Sequence, residues 1–203
     1  MRICKKLICL TVLLFAVYWC VDLVQDKMCL KENLIRLHVV ANSDSKEDQQ
    51  IKLQVRDAII EQLTPVLESF SDMDQAKAYI QDCIPTLEAH ADRVLTMLGV
   101  DDKTKITLQE EKFDVRHYET FSLPSGIYES LRVEIGNGEG KNWWCVVFPT
   151  LCVPAASDSF HDTAVASGFH EQLVDTISNE EGYTIRFFFL DVLGKLENLF
   201  FEV

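Results

Sequence analysis

The chain has 203 residues, 48% hydrophobic and 25% charged, with a formal net charge of −13 and a pI near 4.7. That is enough apolar material for one ordinary core plus a small appendage. So acidic a surface argues against non-specific nucleic-acid binding, which needs clustered Lys and Arg to displace counterions from phosphate, and suits a solvated, exported protein.

The first residues depart from this composition. Arg2, Lys5 and Lys6 precede an apolar run from Leu7 to Val21 that Asp22 closes, the pattern of an export signal with its positive flank in the cytoplasm. Val17-Tyr18-Trp19 offers no pair of small residues for signal peptidase, so an uncleaved signal anchor is favoured over a secreted form. Residues 1–30 are read as signal peptide or anchor, 31–154 as an extracytoplasmic α+β domain, and 155–203 as an acidic connector with a C-terminal strand and helix.

Leu34 to Val40 alternates and is rich in branched residues, which predicts a strand with Ile35, Leu37 and Val39 on one face and Arg36 and His38 on the other. Asn42-Ser-Asp-Ser45 reads as a turn. Ser45 with Asp48 then resembles a capping box opening a helix whose stripe is Ile51, Val55, Ala58, Ile59 and Leu63, with Arg56 and Asp57 near its edge. A second helical period runs from near Ser71 to Gly99, kinked or divided at Pro85.

Lys105–Gln109, Phe113–His117 and Leu131–Ile135 read as strands, with a turn at Leu123-Pro-Ser-Gly126. The next stretch, Gly136 to Cys152, holds three glycines, two adjacent tryptophans and two cysteines. Its simplest account is a hairpin joining Leu131–Ile135 to Trp143–Phe148, with Gly136, Gly138 and Gly140 in the turn. Phe169, Leu173 and Ile177 suggest a weakly amphipathic helix, and Tyr183–Leu190 a strand followed by a short helix. The expected fold is α+β, with a mixed or mainly antiparallel sheet covered by helices.

Little in this pattern carries catalysis. The glycines and Lys141 lack the spacing of a phosphate loop, and Asn142 stands where that motif has Ser or Thr. Cys145 with His38, His117, His161 or His170 would make a thiol nucleophile and base, the basis of a rival reading as a thiol or cell-wall hydrolase. The alternatives are a small buried Cys145 or a disulfide to Cys152. No metal-ligand spacing is present, and no cofactor is implied. Trp143 and Trp144 point to opposite sheet faces, so that one can join the core while the other either anchors a partner near the surface or is covered with it by a terminal element.

Two blocks, Leu34 to Gln49 with Lys52 to Asp57, and Leu123 to Gly136 running into Asn142 to Cys152, resemble the stage II sporulation protein R family. The resemblance implies a signalling protein of endospore-forming bacteria, made in the forespore and exported into the space between the two septal membranes. There it would act as a ligand, not an enzyme, activating a membrane-embedded aspartic protease of the mother cell that processes an inactive sigma factor. The receptor surface is expected on Arg36 and His38, on the turn with Asn42, Asp44 and Asp48, on Arg56 and Asp57, and on Gly136 to Trp144 including Asn142 and Trp143. A structural septal-membrane protein is a further rival.

Overall fold

The computed structural model describes residues 2–151, 159–178 and 184–201. A long helix, α1 (Arg2–Asn33), leads into β1 (Ile35–Val40), two helices α2 (Lys46–Leu67) and α3 (Met73–Met97), and the strands β2 (Thr104–Phe113), β3 (Arg116–His117), β4 (Ser122–Leu123), β5 (Gly126–Ile135) and β6 (Asn142–Phe148). Three helices follow: α4 (Ser159–Ala166), α5 (Glu171–Ile177) and α6 (Ile185–Phe200).

The main sheet has the order β2-β5-β1-β6, parallel between β1 and β5 and antiparallel at its other two pairings. The fold is therefore α+β with a mixed sheet. β1 is central, and all its residues are buried. On one face Ile35, Leu37 and Val39 meet Val55, Ile59 and Leu63 of α2 and Ile80, Leu87 and Leu95 of α3, one contiguous apolar core. Both helices start as their sequences dictate: the Ser45 hydroxyl accepts the Asp48 N–H, and the Asp72 carboxylate accepts that of Asp74.

The opposite face carries a second cluster, built from Phe113, Tyr128 and Val146 of the sheet, Leu23 and Leu30 of α1, and Phe187 and Leu190 of α6. The end of α1 thus belongs to the domain. Arg186 donates to Asp22 at 2.8 Å and to Asp26 at 2.7 Å, while Lys27 donates to the Ser125 carbonyl at 2.8 Å. Gly194 lets α6 reach the backbone of Ser125, where a Cβ would collide with the carbonyl. The first part of α1 projects away with its apolar side chains exposed, and the helix is long and apolar enough to cross a membrane.

Four local expectations are corrected. Leu131–Ile135 and Trp143–Phe148 are not a hairpin, because β1 lies between β5 and β6. Lys105–Gln109 lies within the ten-residue β2, and Phe113 ends that strand. Pro85 does not divide the second helical segment, which runs on as a continuous α3. Ile185 to Leu190, expected as a strand, opens α6: the Thr184 hydroxyl accepts the Phe187 N–H, and Phe187, Leu190, Asp191 and Gly194 form a buried helical stripe.

Candidate functional site

β1 sends its alternate residues, Arg36 and His38, to the face away from α2 and α3. Arg36 is fully buried. Its guanidinium lies 3.9 Å from the Phe113 ring centroid and 5.2 Å from that of Tyr128, and it donates to the Tyr118 hydroxyl at 2.8 Å. Among the described residues Nε and Nη1 have no hydrogen-bond partner, and the aromatic faces supply compensation for the buried charge. Arg36 is an interior residue and not the surface contact its alternation suggests.

One register position on, His38 opens a groove of about 500 Å3 that the helices leave uncovered, lined also by Lys105, Glu111, Lys112, Arg132, Glu134 and Trp144. His38 Nδ1 is 3.0 Å from Glu111 Oε2, and Nε2 is 2.9 Å from the Asn142 side-chain oxygen. A carboxylate only accepts, so the Nδ1 proton lies toward Glu111. Arg132 ties two carboxylates together, donating to Glu111 at 2.8 Å and to Glu134 at 2.7 Å. Burial by itself would raise the Glu111 carboxyl, yet the hydrogen bonds from His38 and Arg132 bring it down to about 2.

Trp144 forms the apolar wall. It stacks on His38 with centroids 3.7 Å apart, meets Phe113 edge-on at 5.1 Å and carries the Arg116 guanidinium at 4.9 Å. Trp143 faces the other way, under the Arg56 guanidinium at 4.6 Å, and Arg56 pairs with the exposed Asp57 at 2.6 Å. Both tryptophans are half-buried.

The expected turn residues pin two loops together. The Asn42 side-chain oxygen accepts the Asn137 N–H at 3.0 Å, Asp44 accepts the Lys141 N–H at 2.8 Å, and Gly140 donates to the Ala41 carbonyl at 2.8 Å. Asp48 accepts from the Ser43 hydroxyl at 2.5 Å. Gly136 and Gly138 take left-handed φ of 58° and 65°, and a Cβ at Gly140 would strike the Ser43 carbonyl. Buried Lys52, which the sequence reading passed over, donates to the Lys141 carbonyl at 2.9 Å. These contacts fix the two loops in one arrangement.

The thiol mechanism fails on geometry. Cys145 stands opposite Leu37 and His38 opposite Trp144, so Cys145 and His38 lie on opposite sheet faces. Cys145 is buried and disulfide-bonded. Cys152, its expected partner, lies outside the described residues. His117 meets Ser122 at 2.8 Å, and His170 lies 3.0 Å from Asp26 beneath α1.

Glu111, Arg132 and Glu134 were missed, although Arg132 and Glu134 share one alternation within β5 and give a legible polar face. With both His38 nitrogens and the Glu111 oxygens engaged, the groove presents fixed charges beside a rigid aromatic wall. That suits recognition better than proton transfer.

No solved structure matches this chain. The Stage II sporulation protein R of Bacillus subtilis (strain 168) is 33% identical over 123 residues, which is 61% of this chain and 55% of that protein, so the chain spans about half the length of its curated relative. The family described as Stage II sporulation protein R matches residues 31–158, a span holding β1 to β6, both core helices and the whole groove. The chain belongs to the stage II sporulation protein R family.

Proposed function

We propose that this protein is an exported signal of endospore formation that activates a membrane-embedded aspartic protease, which then cleaves an inactive sigma-factor precursor. It acts as a ligand from the space between forespore and mother-cell membranes, held at the membrane by α1. Residues 31–154 form the signalling domain. The described residues 159–178 and 184–201 brace it, with α6 packed on α1 and the sheet.

The observation that supports this reading most is the groove on His38. Its ionisable groups are locked to one another, its wall is a stacked Trp144, and it lies within the span shared with the family. Lys105 and Lys112 at its rim are exposed, so reversing them leaves the core untouched.

The test is coexpression of the exported chain with a candidate protease and its precursor. Wild-type chain is expected to trigger precursor cleavage, and Lys105→Glu with Lys112→Glu to reduce it about tenfold at equal export, as reversed rim charges slow a steered encounter. A folded, exported wild-type chain that leaves the precursor uncut overturns the proposal. Unchanged cleavage by the double variant removes the groove as the contact and leaves the Trp143 and Arg56 face as the remaining surface.

A further inference from the structure

Helix α6 is amphipathic in an unusual sense. Phe187, Leu190, Asp191 and Gly194 face the domain, while Ile185, Phe188, Phe189, Leu196, Leu199 and Phe200 are exposed, Ile185 at 76% and Phe200 at 84%. The exposed residues recur at i, i+3, i+4, i+11, i+14 and i+15, a single apolar stripe along the whole helix. A helix on a soluble domain normally turns its polar face outward, and a contiguous apolar stripe marks a contact surface.

The position of this stripe identifies its occupant. Phe189 meets Trp19 edge-on, with centroids 5.0 Å apart, where α1 changes from an exposed apolar rod to a packed element of the domain. On the bilayer side of that point Leu10, Leu13, Leu14 and Val17 are exposed; on the other, Leu23 and Leu30 are buried. Trp19, with Tyr18 beside it, stands at the level where aromatic rings favour the boundary between headgroups and acyl chains. The α6 stripe is thus continuous, through Phe189 and Trp19, with the exposed apolar surface of α1.

We infer that α6 lies in the membrane surface with its apolar stripe among the lipids, as a second contact that fixes the tilt of the domain on the bilayer. The deduction rests on the reading of α1 as a membrane-seated helix and is independent of the protease assignment. The attraction is apolar and not ionic. Lys195 is the exposed cation on this side of α6, and it is paired with Asp191 at 2.8 Å, while the chain as a whole carries a charge of −13. Anionic lipid is therefore not required, unlike the case of basic surface helices.

The test places the full chain in phosphatidylcholine nanodiscs that contain a phosphatidylcholine with a diazirine in its acyl chain, and maps the crosslinked residues by mass spectrometry after illumination. Lipid adducts are expected on the apolar run of α1 and on the α6 stripe, and adducts on α6 are expected to persist in high salt. Ile185→Ser with Leu196→Ser, Leu199→Ser and Phe200→Ser changes only exposed positions away from the Trp19 contact and is expected to reduce α6 labelling about tenfold, with α1 labelling unchanged. Labelling of α1 alone in the wild-type chain overturns the inference while keeping α1 in the membrane. Labelling of neither helix overturns both. Adducts from α6 to a second copy of the chain in place of lipid overturn it in favour of a protein interface.

Discussion

Leu37 and Arg36 are neighbours in β1, both fully buried, and they are held by unrelated physics. Leu37 faces α2 and α3 among apolar side chains, where the stabilisation follows the area removed from water and needs no particular direction. Arg36 faces the aromatic layer, where its charge is tolerated only because Phe113, Tyr128 and the Tyr118 hydroxyl stand in fixed places. The apolar face makes the domain stable. The aromatic face accommodates a charge at a desolvation cost that its partners offset only where they stand.

The sharpest way to break this contrast is to change the sign of the buried charge. Arg36→Glu places an unpaired carboxylate against two aromatic faces and is expected to lower stability by about 4 kcal/mol, read as the urea midpoint. Arg36→Met keeps the volume, removes the unpartnered Nε and Nη1, and is expected to stay within about 1 kcal/mol of wild type. Equal losses in the two variants would show that shape, not charge, is what Arg36 supplies.

On the apolar face, Leu37→Ala is expected to lose about 3 kcal/mol through the cavity it leaves, with the same groove chemistry in the protein that remains folded. Glu111→Gln comes next, at about 2 kcal/mol near neutral pH, because it removes a charged acceptor shared by His38 and Arg132. Its pH dependence follows from the depressed carboxyl. Glu111 titrates near 2 when folded and at its ordinary 4.5 when unfolded, so its contribution is complete above 4.5 and fades as pH falls toward 2. The gap between wild type and variant should therefore close over that window, and a gap constant down to pH 2 would contradict the ionised network. Asp44→Ala is the smallest change, about 1 kcal/mol for one loop hydrogen bond to the Lys141 N–H, read as the urea midpoint.

Elements governed by local pattern were legible in the sequence. The alternation of β1, the Ser45 cap and the stripes of α2 and α3 all follow from side chains a few residues apart. The strand order was not, since pairing β1 with both β5 and β6 is a long-range event that local turn chemistry cannot report. The glycines of the Gly136 to Gly140 loop look the same whether the strands they join are adjacent or separated by a third.

Phe187-Phe188-Phe189 suggested a strand because aromatic residues favour one, and the contact with α1 and Ser125 overrode that preference. The candidate site was half visible. His38, Asn142 and Trp144 were named from the sequence, whereas Glu111 and Arg132 enter through register with strands far along the chain. Burial of Arg36 depends on a second layer drawn from β2, β5 and the segment around Tyr118, which no single stretch announces.

The place of β1 in the sheet also sets a timetable. Ile35 to Val40 is the first strand to be made, yet its partners are Glu129 to Glu134 and Asn142 to Phe148. A chain synthesised from its N-terminus therefore exposes its central strand long before either neighbour has been made. No part of the main sheet that includes β1 can close until most of the domain has been made, and such non-local pairing is slow to form. The groove, which needs β2, β5, β1 and β6 together, can therefore assemble only after nearly the whole sheet sequence is available.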